Sequence, residues 1–560
     1  MEDQVWDAIV VGSGITGGWA AKELTERGLR VLMVERGRPV EHIKDYTTEH
    51  VPPWKLPFRG KGSRKILDED YPIQQKAPQL NETNWHFFVK DREHPYVQAE
   101  GTDWSWVRGN QLGGRSLTWG RQVYRWSDLD FEANSRDGHG VDWPIRYGDI
   151  EKWYDHVEDF IGVSGQAEGL PQLPDGRFLP PMEMTCLEEK VKGDIEGAYP
   201  DRRMTIGRVA IVTQAHRGRG PCHYCGPCER GCSVGAYFST QSSTLPAAKA
   251  TGRLEVLTDA IVENVTTNAD GSRATGVAVI DAKTRERREI RGRLVFMCAS
   301  TIGTTQVLLN SAGENAPNGL ANSSGTLGRY LMDHTIGLGA LGLYPGTSFP
   351  GTQGNRPNGI YIPRFRNLDE PTSGFVRGYG YQGMAIKIGW SAGSMTPGFG
   401  AEWKEQLNGP GSWMFMLSGF GECLPDANNR VTLADERDSW GMRQAKINFN
   451  WGDNEKAMRK DISEQAVAML GKTGALQVIP GQGFGDGGDA IHEMGTARMG
   501  LDPKTSVLNA HNQSHDIPNL FVTDGSCMTS SACQNPSLTY MALTARACEY
   551  AVEELEKGLV

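Results

Sequence analysis

Two short, continuously apolar runs open the chain, and the residues between them repeat with a helical period. Val5 to Val11 ends at Gly12-Ser-Gly14-Ile-Thr-Gly17; residues 19 to 27 are helical in pattern and stop at Gly28; Arg30-Val-Leu-Met-Val34 then ends at Glu35. Continuous apolar strands joined through an amphipathic helix predict the β-turn-α-β unit of a doubly wound sheet. Because the first run passes straight into a glycine turn, it reads as a strand and not as a targeting segment.

Further along, Ile150, Trp153, Val157 and Phe160 predict a helix over 148–160. Residues 254–257, 261–265 and 276–280 predict short strands, 294–298 a strand of the buried type, and 301–309 a helix. A last strand over 519–523 precedes a helix from Pro536, with Leu538, Met541, Ala545, Cys548 and Val552 on its buried stripe. Residues 40–100 show no clear period and read as an excursion. Residues 335–480, rich in glycine and aromatics, read as a separate lobe. The fold class predicted is α/β. A doubly wound, Rossmann-like cofactor domain spans 1–45, 96–165, 211–334 and 485–560. A second, α+β lobe on a mainly antiparallel sheet spans 46–95, 166–210 and 335–484.

Composition narrows this. The 560 residues carry a formal charge of −10, which disfavours nucleic acid, a ligand bound chiefly by neutralising phosphates. No run approaches the length of a transmembrane helix. Sixty-nine glycines fit many close backbone approaches, as around a large cofactor. Of ten cysteines, six are scattered (Cys186, Cys298, Cys423, Cys527, Cys533, Cys548) and read as small buried apolar residues.

Candidate chemistry lies in three glycine segments and one cysteine run. Gly12 permits the tight turn, Gly14 the approach of a pyrophosphate, and Gly17 the close packing of helix on strand. Glu35 stands where a carboxylate accepts ribose hydroxyls, which favours FAD or NAD over a 2′-phosphate cofactor; Arg36 beside it is the counterweight. Gly113, Gly114 and Ser116 repeat the close-approach logic, and Asp524-Gly525 ends the last strand. Cys222, Cys225, Cys228 and Cys232 have the C-x2-C-x2-C-x3-C spacing of a bacterial ferredoxin run. The expected occupant is one iron–sulfur cluster, 4Fe-4S first and 3Fe-4S as the fallback. Zinc, and a disulfide or idle thiols, are the alternatives; His223 reads as a neighbour, not a ligand. A one-electron centre beside a two-electron carrier predicts a dehydrogenase that sends electrons away singly.

The order of GxGxxG, GGRSLTWG, His492-Glu-Met-Gly-Thr496, Val-Thr-Asp524-Gly-Ser and Asn535-Pro536 resembles the glucose–methanol–choline (GMC) oxidoreductase family from residue 5 to 550. The resemblance implies FAD in the doubly wound domain, with His492 as the catalytic histidine and Asn535 as its partner. An Asn-Pro pair is also an ordinary cap for the last helix. Thr118 stands where sugar 2-oxidases carry a flavin-linking histidine, so non-covalent FAD is expected. His334 matches a family Asp-His pair, structural or lining the site. The combination is most similar to catalytic subunits of bacterial glucoside 3-dehydrogenases, with gluconate and sorbitol dehydrogenases next. That likeness implies a sugar or glycoside substrate, oxidised to a ketone, favoured at position 3 of D-glucosides. It further implies a small partner subunit carrying the export signal and a c-type cytochrome acceptor. The chain would then be periplasmic by co-export; read alone it looks cytoplasmic. Tyr361, Phe375, Trp390, Trp403 and Trp413 are core residues or sugar-stacking platforms. The rivals are a dioxygen-using oxidase and a protein that holds FAD only structurally.

Overall fold

The computed structural model describes residues 4–346, 354–371, 374–388, 397–408, 411–481 and 485–560. A seven-stranded sheet is built around the strand Val5–Val11. On one side lie Val31–Val34 and then Leu254–Leu257, both parallel to it; on the other lies Arg287–Met297. The last of these plays two parts. Leu294 to Met297 are buried, and Val295–Met297 pair in parallel with Leu520–Val522. Its first half, Arg287 to Arg291, pairs antiparallel with Ala274–Asp281, which pairs in turn with Ala260–Thr267. The strand thus begins seven residues before the apolar segment expected at 294–298. Its Arg-rich half faces solvent at a sheet edge and carries no buried-strand signature.

The first helix starts at Ile15, earlier than the period of its side chains suggested, because the glycine turn feeds directly into it. Gly14 is the N-cap and makes no side-chain bond, so the helix presents free N–H groups. A Cβ on Gly17 would sit 2.0 Å from the Gly12 carbonyl, so only glycine lets helix and turn close on each other. The C-terminal helix Ser537–Glu556 packs against this first helix and buries the predicted stripe.

The second sheet has six strands in the order Gln477–Pro480, Thr335–Tyr344, Ser412–Gly421, Tyr379–Ile388, Ile360–Ile362 and Thr205–Ile206, all antiparallel. Ser412–Gly421 alternates strictly between half-buried and buried positions, as a strand with one face on a core must. The helix Asp453–Leu470 covers that face with Met458, Ile462, Ala466 and Met469, which join Phe415, Leu417, Tyr379 and Tyr381 in one cluster. Burying each large side chain there contributes about 1.5–3 kcal/mol. Gly419 makes the close approach possible, since a Cβ there would meet Ile462 at 2.3 Å.

Five of the six scattered cysteines are buried, and none of the six is joined in a disulfide among the described residues. Tyr361, Phe375 and Trp413 are buried, and Tyr361 stacks on Tyr124 with ring centroids 4.0 Å apart. Of the residues considered for sugar stacking, these three are core; Trp390 lies outside the described residues.

Candidate active site

A cavity of about 500 Å³ runs between the two sheets. At one end the turn Gly12–Gly14 meets Glu35. The Glu35 carboxylate accepts from Ser13 Oγ at 2.5 Å, from the Ser13 N–H at 3.2 Å and from the Gly37 N–H at 2.9 Å. Burial pushes its pKa up, against these donors. Ser13 Oγ also accepts from the Gly113 N–H at 2.8 Å, tying together the first two glycine segments. Gly113 has φ +94, and a Cβ there would strike the Gln241 side chain. Ser116 Oγ donates to the Gly113 carbonyl at 2.6 Å. Gly14 has open space where a Cβ would stand, and a Cβ on Gly114 would lie 3.3 Å from the Gly14 Cα. This is a cradle that side chains would fill, beside a helix N-terminus suited to phosphates. Asp524 accepts from Ser526 and Thr304, and Gly525 fits tightly under the Glu493 carbonyl. Gly12, Gly14, Glu35, Gly114, Ser116, Asp524, Gly525 and Pro536 all line the one cavity, so residues read from three separate segments converge.

At the inner end His492 Nε2 lies 3.3 Å from Asn535 Nδ2. His492 Nδ1 lies 2.8 Å from His334 Nδ1, and His334 Nε2 lies 3.1 Å from the Ser531 carbonyl. Gln382 Nε2 donates to Asn535 Oδ1 at 2.5 Å. Burial holds His492 well below its ordinary pKa, with His334 and Arg115 adding to the effect, and burial holds His334 down to about 4. Both rings are therefore neutral at physiological pH. Ile491, just before His492, has φ +61, a strained conformation for a β-branched residue that costs about 1–3 kcal/mol. Asp333 clamps it from both sides, accepting from the Ala490 N–H at 3.2 Å and the His492 N–H at 3.1 Å.

A neutral imidazole with one nitrogen turned into a cavity is a competent general base for a hydroxyl proton. Gln382, Phe420, Ile336 and Gln122 face the same space, the first three from the antiparallel sheet. Sequence reading missed all four. None stands in a motif, and Gln382 looks like any polar position on a strand. Thr118 and Trp119 of the GGRSLTWG segment also line the cavity.

The cysteine run behaves differently. Its loop is anchored by the Cys222 N–H on the Val212 carbonyl, by the Ser233 N–H on Glu49, and by Arg230 on the Val51 carbonyl. Tyr224, Gly226 and Gly231 take positive φ. Cys222, Cys228 and Cys232 are half-buried against Val209, Ile211 and Tyr237, while Cys225 and His223 are exposed. The expectation that four thiolates stand ready around one cluster is not met. Among the described residues no group of three or more His, Cys, Asp or Glu side chains is placed to hold a metal ion. Burial instead drives the Cys222, Cys228 and Cys232 thiols toward their neutral form. Burial pushes Cys228 up to about 12, with Arg121 opposing and Cys222 and Cys232 adding to the rise. The spacing sets the four side chains along one loop, but the apolar contacts of Cys222, Cys228 and Cys232 with Val209, Ile211 and Tyr237 hold those sulfurs in packing positions. Two buried arginines flank the loop. Among the described residues Arg121 Nε and Nη1 and Arg219 Nη1 have no hydrogen-bond partner, although Arg121 Nη2 lies 3.6 Å from Glu229. Arg219 faces Cys232 and, among the described residues, pairs with no carboxylate. Glu229, on the same loop, lines the main cavity, so loop and cavity are adjacent.

A doubly wound sheet, a glycine-lined cradle and a neutral histidine beside an asparagine define a cofactor-dependent oxidoreductase. Two family models, each described as GMC oxidoreductase, match residues 6–336 and 425–544, and the chain belongs to the GMC oxidoreductase family. It is accordingly an FAD-dependent oxidoreductase of alcohols, as the first reading expected. It is 30% identical to 2-methyl-1,2-propanediol dehydrogenase of Mycolicibacterium austroafricanum, over 97% of this chain and 94% of the relative. It is 26% identical to the fructose dehydrogenase large subunit of Gluconobacter japonicus, over 99% and 98%. Among solved structures, a formate oxidase from Aspergillus oryzae superposes over the whole of both chains with a TM-score of 0.62 at 14% identity, which shows the shared fold.

Proposed function

We propose that the chain is the catalytic subunit of an FAD-dependent dehydrogenase that oxidises a secondary hydroxyl of a sugar or polyol to a ketone. The observation that carries this is the meeting of His492 Nε2 and Asn535 Nδ2 at 3.3 Å inside the cavity shared with the glycine cradle. A substrate hydroxyl placed there gives its proton to His492 Nε2 while Asn535 Nδ2 donates to the same oxygen and orients the carbon. Bound FAD supplies the hydride acceptor. Gly12, Gly14, Gly113, Gly114 and Glu35 hold its phosphates and ribose, and Pro536 starts the helix that closes the cradle. Gln122 and Gln382 provide amide donors and acceptors of the kind a polyhydroxylated ring requires. Apolar Phe420 and Ile336 complete the wall.

The finer reading is position 3 of a D-glucoside, with aldonates and sorbitol-type polyols as the alternative. The name of the 30% identical relative keeps a small branched diol in view. Thr118 at the flavin-linking position supports non-covalent FAD. Cysteine spacing and the two buried arginines beside the loop support an iron–sulfur cluster and a c-type cytochrome acceptor; the lack of a preformed ligand set among the described residues opposes them. The likeness to the fructose dehydrogenase large subunit supports a smaller partner. With a signal on that partner, the chain is periplasmic by co-export; without one, cytoplasmic.

The test is anaerobic purification followed by addition of methyl α-glucoside. Bleaching of the flavin bands is expected. If dithionite bleaches the protein and no glycoside, polyol or aldonate does, the substrate class is wrong. Flavin left in the supernatant after acid precipitation is expected for non-covalent FAD. Iron and acid-labile sulfide near zero in the same preparation would end the cluster reading. Peroxide formed at the rate of substrate turnover, without added acceptor, would establish the oxidase instead.

A further inference from the structure

His334 does not face the substrate cavity, yet it touches the ring that does. It is wholly buried, and its two nitrogens have partners of different kinds. Nε2 lies 3.1 Å from the Ser531 carbonyl oxygen, which only accepts, so Nε2 carries the proton. A neutral ring protonated at Nε2 has a bare Nδ1, so at 2.8 Å His492 Nδ1 is the donor. His492, protonated at Nδ1, then has a bare Nε2, which receives the Asn535 Nδ2–H until a substrate hydroxyl enters between the two. The Asn535 Oδ1 left over accepts from Gln382.

Every link in this series has one donor and one acceptor, and its direction is set at the one end that cannot turn over. Ring and amide groups can flip or change tautomer, but a backbone carbonyl cannot. The Ser531 backbone is itself held, since Ser531 Oγ accepts from the Cys423 N–H at 2.9 Å and donates to the Cys423 carbonyl at 3.1 Å. We propose that His334 is a positioning residue that transmits the polarity of the Ser531 carbonyl to His492, fixing the tautomer that leaves the lone pair of His492 Nε2 toward the substrate hydroxyl. In the opposite tautomer Nε2 would carry a proton and have nothing to accept with. Gln382 completes the series by keeping the Asn535 amide donor toward the reacting oxygen. His334 at the base of the strand Thr335–Tyr344 and Gln382 on Tyr379–Ile388 both belong to the antiparallel sheet, which thus holds the series at its two ends.

This inference rests on His492 being the base, and the test separates the two. Substrate-driven flavin reduction is measured by anaerobic stopped flow in FAD-loaded wild type, His334→Ala, His492→Ala and the double variant. Wrong-tautomer losses at such sites reach about 10⁴-fold. His334→Ala is expected to slow reduction about 10²-fold, with apparent substrate affinity changed less than about 3-fold, and to add nothing in the His492→Ala background. His334→Asn, whose Oδ1 takes the place of Nδ1 as acceptor, is expected to recover about 10-fold of the loss. A His334→Ala rate within about 2-fold of wild type, or an equal fall in both backgrounds, overturns the relay while leaving His492 as base. Near-normal reduction in His492→Ala overturns the base assignment itself. Should His334→Ala lose FAD, Gln382→Met tests the other end. A fall of about 10-fold that vanishes in an Asn535→Ala background supports the series, and an unchanged rate overturns it.

Discussion

The histidine site and the cysteine loop are both short motifs read without ambiguity from spacing, and they fold in opposite ways. Around His492 all four ring nitrogens and both atoms of the Asn535 amide in the series from Ser531 to Gln382 have partners, His334 is buried, and burial holds both rings below their ordinary pKa. In the run Cys222–Cys232 burial pushes the Cys222, Cys228 and Cys232 thiols toward neutrality, while two buried guanidinium groups beside them keep N–H donors without a partner among the described residues. The first site is complete in its own covalent chain. In the second Arg121 pairs with Glu229, but Arg219 meets no carboxylate among the described residues, so its charge is balanced only if something anionic joins the loop. Spacing specifies a site when the protein's own backbone supplies the last partner. It specifies less when the last partner comes from outside.

The largest effect that sharpens this contrast is His492→Ala. It is expected to slow flavin reduction at least about 10³-fold, the scale of a lost general base, with FAD content unchanged because the cradle lies at the other end of the cavity. Titration of FAD against the purified variant, beside stopped-flow reduction, checks both halves. FAD loss would mean that the two ends are not independent. Asn535→Ala comes next. Here a donor to the reacting oxygen is lost and Gln382 keeps an unmet amide, so a fall of about 10–10²-fold in the same rate is expected. Were Asn535 only a helix cap, the rate would hold and the melting temperature alone would drop. The structure gives Ser537–Glu556 no side-chain cap bond, which favours the site role.

A third comparison addresses the loop. Arg219 is 5% exposed, burial drives its pKa down to about 10, and it donates to the Ile161 carbonyl. Replacing an uncompensated buried cation by an apolar group of similar length is stabilising by about 1–3 kcal/mol where no anion is present. Arg219→Met is therefore expected to raise the denaturation midpoint of iron-free protein, measured by urea unfolding. If anaerobically prepared protein carries an anionic cluster, the same substitution lowers its midpoint. Equal rises in both preparations would show that nothing anionic sits in the loop.

Much of the fold was legible because the first sheet is buried on both faces. Val5–Val11, Val31–Val34 and Leu294–Met297 are continuous apolar runs, and the glycines that join them are needed for backbone approach. The half of Arg287–Met297 that lies at a solvent-facing edge was not legible, since an edge strand has no need of apolar residues. His492 and Asn535 were found because they sit in motifs. Gln382, Phe420 and Ile336 were not, because a strand residue becomes a site residue only by which way the sheet turns it. His334 shows the middle case. Its identity was visible in the sequence, but its part depends on a carbonyl nearly two hundred residues away, |i−j| of 197, which no local pattern encodes.

The smallest expected effect returns to the histidine side, where one ionisation works against the fold. Burial first, and then the neighbouring Glu493, push Asp333 up to about 7 from an ordinary 3.8, against the three backbone N–H groups that hold it. A carboxyl whose folded pKa is raised binds more protons folded than unfolded between those values. Its contribution to stability is full below about pH 4 and is lost as pH rises through about 7. Asp130, pushed to about 6 by burial, acts in the same direction, whereas Glu23, held near 2 in the ion-pair cluster with Lys22, His156 and Arg27, acts in the other. The net slope of the whole protein therefore does not isolate Asp333, but a difference does. Asp333→Asn removes the titration and gives up one acceptor to the Ala490 or His492 N–H. The variant should melt lower than wild type at pH 5. It should then gain about 1–2 °C on wild type by pH 8, read by differential scanning calorimetry of the FAD-loaded proteins. Parallel melting curves across that range would show that Asp333 stays ionised throughout. The clamp on either side of Ile491 would then be a carboxylate without cost, and the histidine site would be as fully compensated in charge as it is in hydrogen bonds.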